Sequence, residues 1–263
     1  MKGSSRLVVT PGILATVAGV ALLGVFAAVP PLQQDPNFHR FADRRTLLGI
    51  VNALDVLSNL PFIAVGMMGL VAARDPRSVF ANSWERWPWQ VVFGAVTATA
   101  FGSGLYHLAP SNVLLVWDRL PQTLITMALL SAVIAERVSL RAARTALWPL
   151  LVVGAVSVFV WFGTGDLRLY GVVQFLPAAL IPLVLLLNPA RYTRGADLWI
   201  ALGWYVIARL CELLDYEIFG DFGLSGHTLK HLAAAASVWW MVRMIRRRAL
   251  VRSEPATSQV LVR

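Results

Sequence analysis

Eight long apolar runs divide the chain, at Leu7–Val29, Ile50–Ala72, Trp89–Leu108, Leu120–Val138, Ala146–Phe162, Leu169–Leu187, Leu198–Glu217 and His227–Ile245. Each is near the ~20 residues that a helix needs to cross the hydrocarbon core of a bilayer. The runs are continuous, not alternating, which predicts helices and argues against the short strands of a membrane barrel. An all-α, polytopic membrane protein is expected. The first run follows Lys2 and Arg6 as a signal peptide would, but it is too long for a signal's apolar segment, and FAAVPP is a poor cleavage site. It is expected to stay as an anchor.

Composition agrees: 57% of the 263 residues are hydrophobic and 14% charged, with a mean hydropathy of +0.66. The single cysteine, Cys211, excludes an internal disulfide and a cysteine-rich metal site. A net charge of +9 raises the question of a nucleic-acid partner. Most of that charge sits in short loops and the tail between apolar runs, as it does beside membrane spans, so a membrane is the expected partner and nucleic acid is not. Counted by alternate loops, 16 lysines and arginines fall on one side and 5 on the other, with Arg209 and Lys230 inside runs. That asymmetry predicts both termini in the cytoplasm. Trp84, Trp87 and Trp89, with Trp239 and Trp240, suit interfacial belts, and RSEPATSQVLVR reads as a disordered tail.

With this topology, the polar residues within runs collect at one depth. Asn52, Asp55, Ser58 and Asn59 lie in the outer part of the second helix, and Ser103 and His107 in the last turns of the third. Asp118 is expected at the mouth of the fourth helix, with Pro121 in its first turn, and His227 and His231 open the eighth. Ionisable groups inside a membrane are costly and usually functional. His227 and His231 are four apart, so both imidazoles share a helix face. With His107 they make three nitrogen donors and leave a fourth position open, the pattern of catalytic zinc. His39, in a wet loop, is left over. Asp118 suits a general acid–base role and Ser103 a hydrogen bond to a developing oxyanion. Glu212 and Asp215 are candidates to orient a histidine from behind. For Glu212, pairing with Arg209 at i, i+3 is the favoured alternative.

The segments NALDVLSNLPF, GSGLYHLAPSNVLLVWDRLP and GHTLKH together resemble the alkaline ceramidase family, within the CREST superfamily of membrane hydrolases. The shared pattern is Ser-x-x-x-His, an Asp eleven residues after that His, and a final His-x-x-x-His. Ser103, His107, Asp118, His227 and His231 match each element. The resemblance covers about residues 38–246. It implies a seven-helix catalytic core there, with residues 1–37 as an extra N-terminal helix and the start of an outer loop, and 247–263 as a cytoplasmic tail. It also implies zinc on the three histidines and hydrolysis of the amide of ceramide or a related N-acyl lipid; with the charge asymmetry, the expected setting is an inner membrane of bacterial type with the site near the outer face. The eukaryotic enzymes bind calcium on an acidic loop ahead of the core. Here the stretch FHRFADRRTLLGIVNALD leaves Asp43, Asn52 and Asp55 as calcium candidates. Arg119 stands where the family has a second carboxylate, and Lys230 replaces a bulky residue, so the head group of the substrate is expected to differ. The adiponectin receptors belong to the same superfamily, so a sensor with a structural zinc is the rival reading. A transporter ranks behind it, because the polar groups stop at one face.

Overall fold

The structure, a computed structural model, describes residues 8–251. Among them are ten α-helices and no strands: α1 (Pro11–Ala28), α2 (Ala53–Leu57), α3 (Leu60–Arg74), α4 (Arg86–Leu108), α5 (Asn112–Arg137), α6 (Leu140–Thr164), α7 (Arg168–Leu187), α8 (Gly195–Leu213), α9 (Asp215–Phe222) and α10 (Gly226–Arg247). Six helical segments are long and apolar enough to cross a membrane: α1, α2 with α3, α4 with the 3-10 turn before it, α5, α6 and α7. This is the build of an integral membrane protein. The expectation of eight such segments is met at these six. α8 and α10 have the length, but α8 carries Asp197, Arg209 and Glu212, and α10 carries Lys230, Arg243, Arg246 and Arg247.

Several boundaries differ from the apolar runs for local reasons. The second run breaks at Ser58–Asn59, where the Ser58 hydroxyl and Asn59 Nδ2 both donate to the Asp55 carbonyl and compete with the helical ladder. The seventh breaks at Leu214, and α9 follows. α5 starts earlier than its apolar run, at Asn112, because Ser111 caps it by accepting from the Leu114 N–H at 3.3 Å. Asp118 and Pro121 therefore lie inside the helix, buried, and not at its mouth. Trp89 is no interfacial residue: it is fully buried and donates to Glu136 Oε1 at 2.9 Å. Arg248 donates to the same oxygen at 2.5 Å, and Val251 N–H donates to the Arg191 carbonyl, so the start of the expected tail is ordered. Residues 252–263 of that tail, with Lys2 and Arg6, lie outside the described residues.

The helices pack as an open ring in the order α8, α10, α3, α4, α5, α7, with α6 against α5 and α7, and α1 against α7. Close approaches need glycine between α3 and α4 and between α4 and α5. A Cβ on Gly69 would meet the Phe93 ring at 2.1 Å, and one on Gly102 would meet the Trp117 carbonyl oxygen at 2.1 Å. α7 and α8 have no extensive contact, so the ring is open along one side. The described chain begins and ends at the same end of the bundle, as Val9 and Asn188 exchange two hydrogen bonds of 3.1 and 2.9 Å there.

Candidate metal centre

His107 closes α4, and His227 and His231 open α10, so the three meet at the other end of the bundle. One ligand nitrogen from each lies within 4.8 Å of those of the other two. The Nε2 atoms of His107 and His227 are 3.2 Å apart. Two nitrogens bound to one tetrahedral zinc at ~2.05 Å would be about 3.3 Å apart, so the spacing fits. His107 and His231 are buried, and Phe41 closes over the cluster with its ring centroid 4.7 Å from His107 and 5.5 Å from His227.

The tautomer of His231 follows from its partner. Ser58 Oγ lies 2.8 Å from His231 Nδ1, and its only hydrogen is donated to the Asp55 carbonyl at 3.0 Å. Ser58 therefore accepts from Nδ1–H, which leaves a lone pair on Nε2. Three neutral imidazoles and no nearby thiolate suit zinc.

The start of α10 is held by two carboxylates. Asp55 Oδ1 accepts from Ser225 Oγ at 2.9 Å and Thr228 Oγ1 at 2.7 Å, while Ser225 Oγ accepts from the Thr228 N–H. Asp215 Oδ1 accepts from the His227 N–H at 2.9 Å, and its Oδ2 from the Ala42 N–H at 3.2 Å. Both negative charges lie at a helix N-terminus, where the helix dipole favours them. Asp215 thus steadies His227 through the backbone, and not through the imidazole. Gly226 permits the fit, since a Cβ there would meet the Cys211 carbonyl oxygen at 2.1 Å.

Asp118 and Ser103 are both buried, and Ser103 lies one helical turn before His107 on α4. Asp118 Oδ1 accepts from Gln122 Nε2 at 3.0 Å, and the Ser103 side chain faces it. Glu212 does not reach a histidine. It pairs with Arg209, as the i, i+3 alternative expected, and with Lys230 Nζ at 2.7 Å. Lys230 as a partner was not legible beforehand; residues 212 and 230 lie in different helices.

Each of the calcium candidates has a protein partner. Asp43 pairs with Arg45 at 2.6 Å, Asn52 Nδ2 donates to the His107 carbonyl at 2.8 Å, and Asp55 holds the two hydroxyls. The Arg45 guanidinium, hydrogen-bonded to Asp43, holds that carboxyl below its ordinary range. His39 is a strap: Nε2 donates to Asn112 Oδ1 and Nδ1 accepts from Tyr106 O–H, each at 3.0 Å, tying the segment before Phe41 to α4 and α5. Arg119 is buried against Trp161 and Tyr170 and donates to Gln34 Oε1 at 2.6 Å, away from any carboxylate contact. The sequence marks Ser58 only as a polar residue at the right depth. Its role depends on a residue 173 positions away.

Beneath the cluster, between the α5/α7 and α8/α10 sides of the ring, runs a cavity of about 230 Å³. Ser103, Gln122, Arg209, Lys230 and His231 line its upper end, and Val133, Leu185, Leu198 and Met241 its lower end. Ten residues of α10 separate His231 from Met241, about 15 Å at the helical rise. Compared with known proteins, the chain matches no family model, no curated protein and no solved structure.

Proposed function

We propose that this chain is a zinc-dependent amidohydrolase of a membrane, cleaving the N-acyl bond of ceramide or a related lipid amide to a fatty acid and an amine. The observation that carries the reading is three converging imidazoles, one of which, His231, lines the polar end of a long apolar cavity, with the buried Asp118 facing Ser103 one helical turn from His107. Zinc held by His107, His227 and His231 would supply Lewis-acid chemistry, polarising an amide carbonyl and acidifying water. The cavity takes the acyl chain, which leaves the amide at the histidine end. Asp118 takes a proton from the attacking water and passes it to the leaving nitrogen. Gln122 holds Oδ1 of that carboxylate, leaving Oδ2 for the proton. The Ser103 hydroxyl donates to the carbonyl oxygen as charge builds on it.

We further propose that α8 and α10 also span the bilayer, completing seven core helices after α1. Both termini would then be cytoplasmic, in a bacterial-type inner membrane, with the site near the outer face. In support, the arginine-rich loops around Arg74, Arg141 and Arg191 lie at the end of the bundle opposite the histidines.

The test is fatty-acid release from ceramide and a panel of N-acyl lipids by purified protein, wild type against Asp118→Asn. The variant is expected to keep its zinc and bind lipid but lose ~10²–10⁴-fold in rate, the usual worth of a general acid–base group. Equal release by both proteins would end the mechanism. A zinc-loaded wild type that cleaves no amide lipid would favour the sensor.

A further inference from the structure

The charge of the cavity wall says more about the substrate. Among the described residues, Arg209 and Lys230 are the only ones with a full formal charge that line it, and no carboxylate does. Their shared partner, Glu212, stands behind the wall and offers one oxygen to each: Oε1 to Lys230 Nζ at 2.7 Å and Oε2 to Arg209 Nη1. Within hydrogen-bond reach, one carboxylate therefore serves both cations; Asp118, the next carboxylate, acts on Lys230 through space and does not line the cavity. Glu212 is the single hydrogen-bond partner of Lys230 Nζ among the described residues, so two of the three ammonium N–H donors remain available. A cation left partly uncompensated in an apolar, membrane-embedded wall is costly unless an anion comes to it.

Position decides where that anion sits on the substrate. Lys230 precedes His231 in the chain, and both line the upper end of the cavity, whereas the lower end is aliphatic. With an acyl chain filling the lower end, the two cations lie beside the head group. Arg209 is 40% exposed, and its guanidinium lies 5.6 Å from the Phe175 ring of α7, across the open side of the ring. A lipid arriving sideways would meet Arg209 first and Lys230 next.

We infer that the substrate is an N-acyl amide whose amine portion carries an anionic group, such as a carboxylate or phosphate, recognised by Lys230 and Arg209. This inference rests on the acyl-amide reading of the site and deepens it: Lys230 and Arg209 are specificity determinants for that reaction. A neutral sphingoid head group would leave the two free Lys230 donors without an anionic acceptor.

The experiment compares three lipids with the same chain: N-oleoylglycine, neutral N-oleoylethanolamine and oleate. An N-oleoyl phosphoethanolamine arm separates carboxylate from phosphate recognition. Binding is read first, by titration calorimetry of detergent-solubilised full-length protein, without need of turnover. An anionic conjugate should bind wild type about ten- to a hundredfold more tightly than the ethanolamide, the worth of a hydrogen bond to a charged group. Lys230→Met should bring that ratio towards one, and Lys230→Arg should keep most of it. Equal binding of the anionic and neutral conjugates by wild type would overturn the inference. So would a preference that survives Lys230→Met and Arg209→Met, or one for oleate alone, which would assign the charge to the released acid. Hydrolysis is scored separately. A protein that discriminates in binding but cleaves neither amide would refute the amidase, whereas one that cleaves both equally well and binds them equally would refute only the anionic head group.

Discussion

Ser58 has one hydroxyl proton and gives it to the Asp55 carbonyl, and that decides which nitrogen of His231 keeps its lone pair. Such supporting contacts around a metal ligand commonly cost 10–100-fold in metal affinity when removed. Ser58→Ala should therefore weaken zinc binding by that order, with helix content unchanged by circular dichroism. The wild type should hold about one zinc per chain, as three converging imidazoles require, and His231→Ala should hold far less. Zinc affinity unaltered in Ser58→Ala would remove the hydroxyl from the site, and stoichiometric zinc in a variant lacking all three histidines would remove the site itself.

At the scale of elements, the centre depends on how closely α4 and α5 approach. Gly102 lies on the face of α4 against the Trp117 carbonyl, and its neighbours in space, Ser103, His107 and Asp118, gain their relation from that contact. The obstacle to a side chain at Gly102 is backbone, which cannot swing aside. Gly102→Val should cost ~1–3 kcal/mol of overpacking and lower both the thermal midpoint and the zinc affinity. Gly104, two residues on, has nothing within 4 Å of where a Cβ would stand, so Gly104→Ala is the control. Alanine there should be neutral or slightly stabilising, because glycine inside a helix costs ~0.5–1 kcal/mol. Equal losses in the two variants, read by thermal unfolding and metal titration, would show that the α4–α5 contact is not what positions the centre.

For the molecule as a whole, the ring has a polar end and an arginine-rich end, and an open side between α7 and α8. A reporter fused after Arg263 should be cytoplasmic, and a tag between α9 and α10, at Gly223–Leu224, should react with an impermeant reagent in intact cells. Labelling of that tag only after permeabilisation would reverse the orientation and put the histidines on the cytoplasmic side. The open side also accounts for how a lipid could reach a centre capped by Phe41. The segment before α2 is strapped down by His39, Asp43–Arg45 and Tyr216, whose hydroxyl donates to the Arg40 carbonyl at 3.0 Å.

The amino-acid pattern alone determined the helical class, the membrane character, the alternation that brings polar groups to one end, and the candidate set His107, His227, His231, Asp118 and Ser103. Each is encoded locally: a span is one long apolar run, and His-x-x-x-His is one turn of one helix. The proposal of a zinc amidase likewise rests on short motifs. Tertiary structure alone decided the rest. Glu212 came to serve two cations because α8 and α10 pack together, and Asp215 reached His227 through the backbone because α8 breaks at Leu214. The burial of Asp118 nearly two turns inside α5 and the separate partners of Asp43, Asn52 and Asp55 also departed from what the apolar pattern predicts. Hydropathy records how a residue partitions between water and oil. It does not record which distant partner makes a buried charge tolerable, and that pairing exists only once the helices are packed.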